Sequence, residues 1–183
     1  MNNPHQFLVL LTTKPSDFGD NPMNQLSLNE LLQNFPNSGE LIWIGVRPSK
    51  GEAMIVVDEV LADARSGLIG DRYNGNSGRR QVTLLQYEHL AVLESMLNQS
   101  IAPGMLRRNL LIKGVNLLAL KNCKFKIGAA IFQMTGLCHP CSKMEKTLGP
   151  GAYNSMRGHG GINAQVLQGG IIRVGDQVTI LKD

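Results

Sequence analysis

The stretch NLLIKGVNLLALKNCKFKIGAAIFQMT, residues 109–135, decides how this chain folds. It holds three short β-type runs, Asn109–Lys113, Cys123–Ile127 and Ala130–Thr135, at close spacing and bounded by Gly or Asn. Working outward, similar runs occur at Leu41–Arg47, within Met54–Ala64, at Gln81–Leu85, Ala164–Gln168 and Gln177–Leu181. One long helical pattern interrupts them: Gln86–Asn98 places Leu90, Leu93 and Leu97 on one stripe. Twenty Gly and eight Pro among 183 residues exceed the usual share of roughly 12% and supply many tight corners. Neither an internal repeat nor a low-complexity segment is present. The fold expected is mainly β: a closed or nearly closed barrel of short strands, which removes exposed sheet edges, with one main helix and a few short ones.

Residues 1–39 differ in character, being rich in Asn, Pro and Ser, and are read as an N-terminal appendage to a main domain spanning 40–183. Within the appendage Ser27 and Glu30 form a capping box that starts a short helix through Leu31, Leu32 and Phe35, and Pro36 stops it. The length suits a single core with a small addition.

Hydrophobic residues at 43% and charged residues at 17% exclude disorder, coiled coil and collagen. Eighteen Lys and Arg against 14 Asp and Glu leave a net charge of +4, too little for a polyanion-binding protein, so a small anion is expected as ligand rather than nucleic acid. The first residues carry only Phe7–Leu11 as an apolar run, with no cationic region before it and no cleavage site after it, so neither a signal peptide nor a membrane association is expected. Three cysteines, two of them in one Cys-x-x-Cys, fit a reducing, cytoplasmic setting better than a disulfide framework.

Reactive groups concentrate in Thr135-Gly136-Leu137-Cys138-His139-Pro140-Cys141-Ser142-Lys143-Met144-Glu145, directly after a strand. Two thiols and an imidazole beside Lys143 can favour a thiolate, which is a nucleophile or a soft-metal ligand. A structural zinc site would need paired spacings, and only lone Cys123, His89 and His159 remain to supply them. A thioredoxin-like site needs a helix after Cys141 and βαβ alternation around it; Gly149-Pro150-Gly151 leaves little room for the helix and the alternation is missing. A thiolate bound to the metal of an organic cofactor is the third reading. The Gly-rich loop Arg157-Gly158-His159-Gly160-Gly161 has no Walker or dinucleotide spacing.

Across roughly Ile44–Leu181 the chain resembles the MOSC domain, the family related to the carboxy-terminal part of molybdenum-cofactor sulfurase. The stretches that carry the resemblance are Gly45-Val46-Arg47-Pro48-Ser49-Lys50-Gly51, Gly67-Leu68-Ile69-Gly70-Asp71-Arg72-Tyr73, Arg107-Arg108-Asn109-Leu110, Thr135 to Cys141, Gly160-Gly161-Ile162-Asn163-Ala164 and Ile172-Arg173-Val174-Gly175-Asp176. The resemblance implies a MOSC-type β-barrel, binding of the molybdenum cofactor, and one functional cysteine as molybdenum ligand or sulfur carrier. Pro140-Cys141-Ser142-Lys143-Met144-Glu145 fits the family's placement of that thiol, which makes Cys141 the metal ligand and Cys138 an auxiliary, with His139 beside them. The matched basic and polar residues suit a phosphorylated pterin: Lys50 and Arg72 for the phosphate, Ser49 and Thr83 as hydroxyl partners, Arg108 and Asn109 for the ring edge. The reaction implied is reduction of small N-hydroxylated compounds at the mouth of the barrel, with electrons from a separate flavin or iron–sulfur reductase. A persulfide-carrying sulfur-delivery module and a cofactor-free disulfide oxidoreductase stand as alternatives.

Overall fold

Lys124–Ile127 shows in four residues how the sequence builds this molecule: Lys124 and Lys126 are exposed, while Phe125 and Ile127 are fully buried. Period-2 alternation of this kind is the signature of a strand with one face on a core. The computed structural model describes residues 26–73, 75 and 77–181. In chain order the elements are α1 (Leu28–Gln33), β1 (Gly39–Val46), β2 (Ile55–Val57), β3 (Glu59–Asp63), β4 (Gly67–Leu68), β5 (Val82–Gln86), α2 (Glu88–Leu97), β6 (Leu110–Lys113), β7 (Lys124–Ile127), β8 (Ala130–Leu137), α3 (Ser142–Leu148), α4 (Ala152–Ser155), β9 (Ile162–Gln168), β10 (Gly170–Arg173) and β11 (Gln177–Leu181). The described residues also hold 3-10 turns at Pro103–Leu106 and Leu117–Leu120.

The large sheet runs β11-β7-β8-β9-β5-β6-β1-β2 and closes where β1 also pairs β11 at Gly39↔Val178 and Glu40↔Gln177. Seven strands therefore form a barrel, and β2 extends the far end of β1. Neighbouring strands are antiparallel except β5 and β6, which run parallel and are joined through α2. A second sheet, β10-β3-β4, lies apart from the barrel ladder. The barrel interior is filled by, among others, Leu41, Ile44, Leu84, Leu110, Ile112, Phe125, Phe132, Ile162 and Val178, with the Phe125 and Phe132 rings stacked at 5.7 Å.

Strands β5 and β6 are apolar on both faces because two cores need them. Leu84, Leu110 and Ile112 point into the barrel, whereas Leu85 and Leu111 join a second cluster with Leu90, Leu93, Leu106, Met144, Leu148 and Met156 from the helices and turns outside. Strands covered on both sides read as continuous hydrophobic runs. The helical annex this creates carries α3 and α4.

The expected barrel is present, with local differences. Met54–Ala64 is not one strand: the chain breaks at Asp58, whose carbonyl accepts from Val174 N–H, and β2 and β3 belong to different sheets. The short strands β4 and β10 lay outside the sequence reading. A seven-residue helix does follow Cys141, because the Glu145 carboxylate accepts from the Gly151 and Tyr153 amides and turns the chain directly into α4. The surrounding order is still not βαβ, since β8 and β9 are antiparallel.

The chain divides into compact units between Asn34 and Phe35. In the first, Ser27 accepts from Glu30 N–H and the Glu30 carboxylate accepts from Ser27 N–H, completing the anticipated capping box of α1. Phe35 already packs on the barrel core, so the barrel unit begins a few residues ahead of residue 40. The reading of Phe7–Leu11 lies outside the described residues. No helix among the described residues is long and apolar enough to cross a membrane.

Candidate active site

Strand alternation places the site on the outside of the barrel rather than at its mouth. Val82, Leu84, Ile162 and Ala164 face the core, so Thr83 and its ladder partner Asn163 face outward, toward the annex. A register shift between Met134 and Gly136 in β8 then turns the strand end away, and Leu137 and Cys138 follow over this face. Asn163 Nδ2 donates to the Leu137 carbonyl at 2.8 Å and fixes that path. The result is a cavity of about 740 Å³ lined by Thr83, Asn163, Tyr73, the Leu137–Cys141 segment, Met144, and six basic side chains: Arg47, Arg72, Arg80, Arg107, Arg108 and Lys143. Among the described residues no Asp or Glu lines it.

Arg108 is the wall's central charge. Its residue is only 7% exposed, and its Nε, Nη1 and Nη2 donate to the carbonyls of Gly160 (2.7 Å), Leu106 (3.0 Å) and Cys138 (3.1 Å). Burial pulls its pKa down, and Cys138 and Cys141 pull it back up; a guanidinium stays protonated throughout. Among the described residues no carboxylate pairs with it, and its hydrogen-bond partners are backbone carbonyls. A Cβ at Gly160 would collide with the Cys138 carbonyl oxygen, and one at Gly161, where φ is +85°, with that of Leu84, so only glycine lets this loop reach Arg108 and Cys138.

The thiols differ. Cys141 is exposed on the rim, ahead of α3, while Cys138 is half-buried. Burial pushes the Cys138 thiol up, and Arg108, Arg47 and Arg80 only partly offset it. Tyr73 adds a hydroxyl shielded from solvent and without a hydrogen-bond partner among the described residues.

Beneath the cations lies a buried polar floor. The Asp71 side chain is 0% exposed and accepts from Arg47 N–H (2.7 Å), Arg47 Nε (2.9 Å) and Nη2 (2.7 Å) and Asn109 Nδ2 (3.0 Å). Asn109 also donates to Gly45 O, and its Oδ1 accepts from Thr83 N–H, Thr83 Oγ1 (2.7 Å) and Arg47 Nη2.

Of the residues expected in the site, Cys138, His139, Cys141, Arg72, Thr83 and Arg108 line this one cavity. Asn109 does not: it is fully buried and its amide is saturated by the floor. Ser49 and Lys50 are exposed and outside the lining, because β1 ends at Val46, Arg47 is pinned by Asp71, and the chain then bends away. Arg47, Tyr73, Arg80, Arg107 and Asn163 take part unexpectedly. Tyr73 and Arg107 stand directly beside Arg72 and Arg108 in the quoted stretches, where adjacency is the available signal; Arg47 and Asn163 stand in quoted stretches but beside no expected site residue. No cluster of three or more metal-ligating side chains occurs among the described residues.

A seven-stranded barrel with a thiol-bearing, cation-lined cavity on its flank is the class of protein defined here. The MOSC domain family matches residues 38–179, and the chain belongs to it. No curated protein matches it significantly. Among solved structures it is similar to YuaD from Bacillus subtilis (17% identity, TM-score 0.68, covering 79% of this chain and 96% of that one). It is also similar to YiiM from Geobacillus stearothermophilus (18%, 0.66, 79% and 75%) and YiiM from Escherichia coli (19%, 0.64, 81% and 71%). At these identities the likeness speaks to the fold.

Proposed function

We propose that the cavity binds the molybdenum cofactor, with Cys141 as thiolate ligand to the metal, and that the loaded protein reduces small N-hydroxylated compounds. One observation carries this reading: an exposed thiol shares a cavity with a buried guanidinium that no carboxylate among the described residues neutralises. The donor set fits the group. Arg108, Arg72 and their basic neighbours suit a phosphate, the unpartnered Tyr73 hydroxyl and Asn163 suit a polar ring, and a thiolate suits a soft metal.

When bound, the molybdenum centre would supply the two-electron redox capacity for this reduction. The chain's own residues orient and protonate. Arg108 and the surrounding cations hold anionic oxygens, and Met144 with Leu137 gives the cavity an apolar side. The His139 imidazole on the wall can hand over a proton. In the net reaction the N–O bond breaks, two electrons and two protons enter, and an amine and water leave. The electrons come from a separate flavin or iron–sulfur reductase, and the protein is read as cytoplasmic.

Reconstitution with cofactor and reductase, followed by reduction of an N-hydroxylated purine, tests this. Cys141→Ala is expected to abolish turnover and Cys138→Ala to retain a substantial part. Equal loss in both variants would overturn the single-thiol assignment, and sulfane sulfur on metal-free wild type, lost in Cys141→Ala, would mark a sulfur carrier instead.

A further inference from the structure

Two histidines behind the wall take no part in the proposed chemistry. The rings of His89 and His159 meet edge to face, with centroids 4.8 Å apart and planes at 82°. Nδ1 of each is shielded from solvent and has no hydrogen-bond partner among the described residues. His89 stands in the first turn of α2, and His159 in the loop between α4 and β9, where its N–H donates to Met156 O at 3.0 Å. The next two residues hold the cavity: Gly160 O accepts from Arg108 Nε, and Gly161 O accepts from the Cys138 N–H at 2.9 Å. The loop is thus clamped by the histidine contact on one side and by the wall on the other.

We propose that the His89–His159 pair is a proton-sensitive brace that positions Arg108 and Cys138: a neutral His89 ring holds the loop against the wall, and its protonation releases it. The brace stands on its own geometry; its consequence for function rests on the reading that this cavity is the working site. A neutral imidazole tolerates an unpartnered acceptor nitrogen, whereas an imidazolium adds a donor that needs a partner and a charge that needs solvent. Charge on the His89 ring is also opposed by the adjoining His159.

The surrounding groups leave that opposition largely uncompensated. Glu88, beside His89 on α2, is the one carboxylate acting on it, and its Oε1 is also the acceptor for Gly114 N–H. Helix α4, packed against α2, carries no charged side chain. In the next helix, the Glu145 carboxylate is held by two backbone amides. Arg157 shares the loop, and Arg108 lies beyond it. Burial first, and then His159, holds the His89 pKa below the ordinary histidine value, against smaller upward pulls from Glu88 and the His159 backbone. The folded state therefore binds fewer protons at His89 than the unfolded chain, and the brace is intact above the ordinary value and lost as pH falls through the lowered one.

Amide hydrogen exchange on the cofactor-free protein tests this, corrected for intrinsic rates, from about pH 7.5 down to about pH 5. Protection of the Cys138 amide is expected to fall about tenfold or more, with a midpoint that follows the His89 ring resonances in NMR. His89→Phe, which keeps a ring but no proton, should hold that protection across the range. A flat wild-type course overturns the proposal without any variant, and so does an unchanged midpoint in His89→Phe. Neither readout needs cofactor or substrate, so failure here and failure of the functional reading are told apart.

Discussion

The floor and the rim of the cavity are built on opposite principles. In the floor, Arg47, Asp71, Thr83 and Asn109 satisfy one another, and the one acid faces the one cation positioned to meet it. On the rim, among the described residues, no carboxylate pairs with Arg72, Arg80, Arg107, Arg108 or Lys143, and the thiol of Cys141 is exposed. A saturated network in a low-dielectric setting fixes geometry, and unmatched charge attracts a ligand. The contrast separates residues that keep the site in shape from residues that use it.

Breaking the floor should give the largest effect on stability. Asp71→Ala strands the Arg47 guanidinium and the Asn109 amide, and should cost about 3–5 kcal/mol in denaturant unfolding; a loss below about 1 kcal/mol would show that the network does not hold the floor together. Thr83→Val removes the hydroxyl that donates to Asn109 Oδ1 and accepts from Asn109 N–H at 3.0 Å. Its expected cost is about 1–3 kcal/mol by the same measurement. On the rim, Cys141→Ala should leave stability within about 0.5 kcal/mol, because the side chain is exposed and no cap depends on it.

The two thiols sharpen the comparison at the smallest scale. Burial raises the Cys138 pKa, so Cys138 is a neutral thiol at pH values where an ordinary cysteine has begun to ionise. Timed alkylation with mass-spectrometric readout should label Cys141 first, and Cys138 should react appreciably only as pH rises past the ordinary thiol range. Equal labelling near neutrality would mean that Cys138 is not shielded by the wall.

What the sequence revealed followed from short-range physics. The Lys124–Ile127 and Ala130–Leu137 hairpin, Gln177–Leu181 and the α2 stripe all announce themselves through periodicity and turn residues within a few positions. The division at Asp58 did not, because it depends on a backbone bond to Val174 far along the chain. Site residues show the same limit. Cys138, His139 and Cys141 are close in sequence and stay together in space. Ser49, Lys50 and Asn109 were selected for their chemistry and their neighbours. The chain leaves the cavity after Arg47, and Asn109 turns into the floor where Arg108 turns to the wall, and neither change of direction is written locally. The Arg47–Asp71 pair, 24 residues apart, needs the fold to be seen at all.

The measurement that bears most directly on the account is the molybdenum and pterin content of protein purified gently from a host that makes the cofactor. Wild type should carry both at close to one per chain, and Cys141→Ala, with an unchanged circular dichroism spectrum, should lose the metal. Molybdenum retained in full by Cys141→Ala, or a wild-type protein that takes up no pterin from such a host, would contradict it.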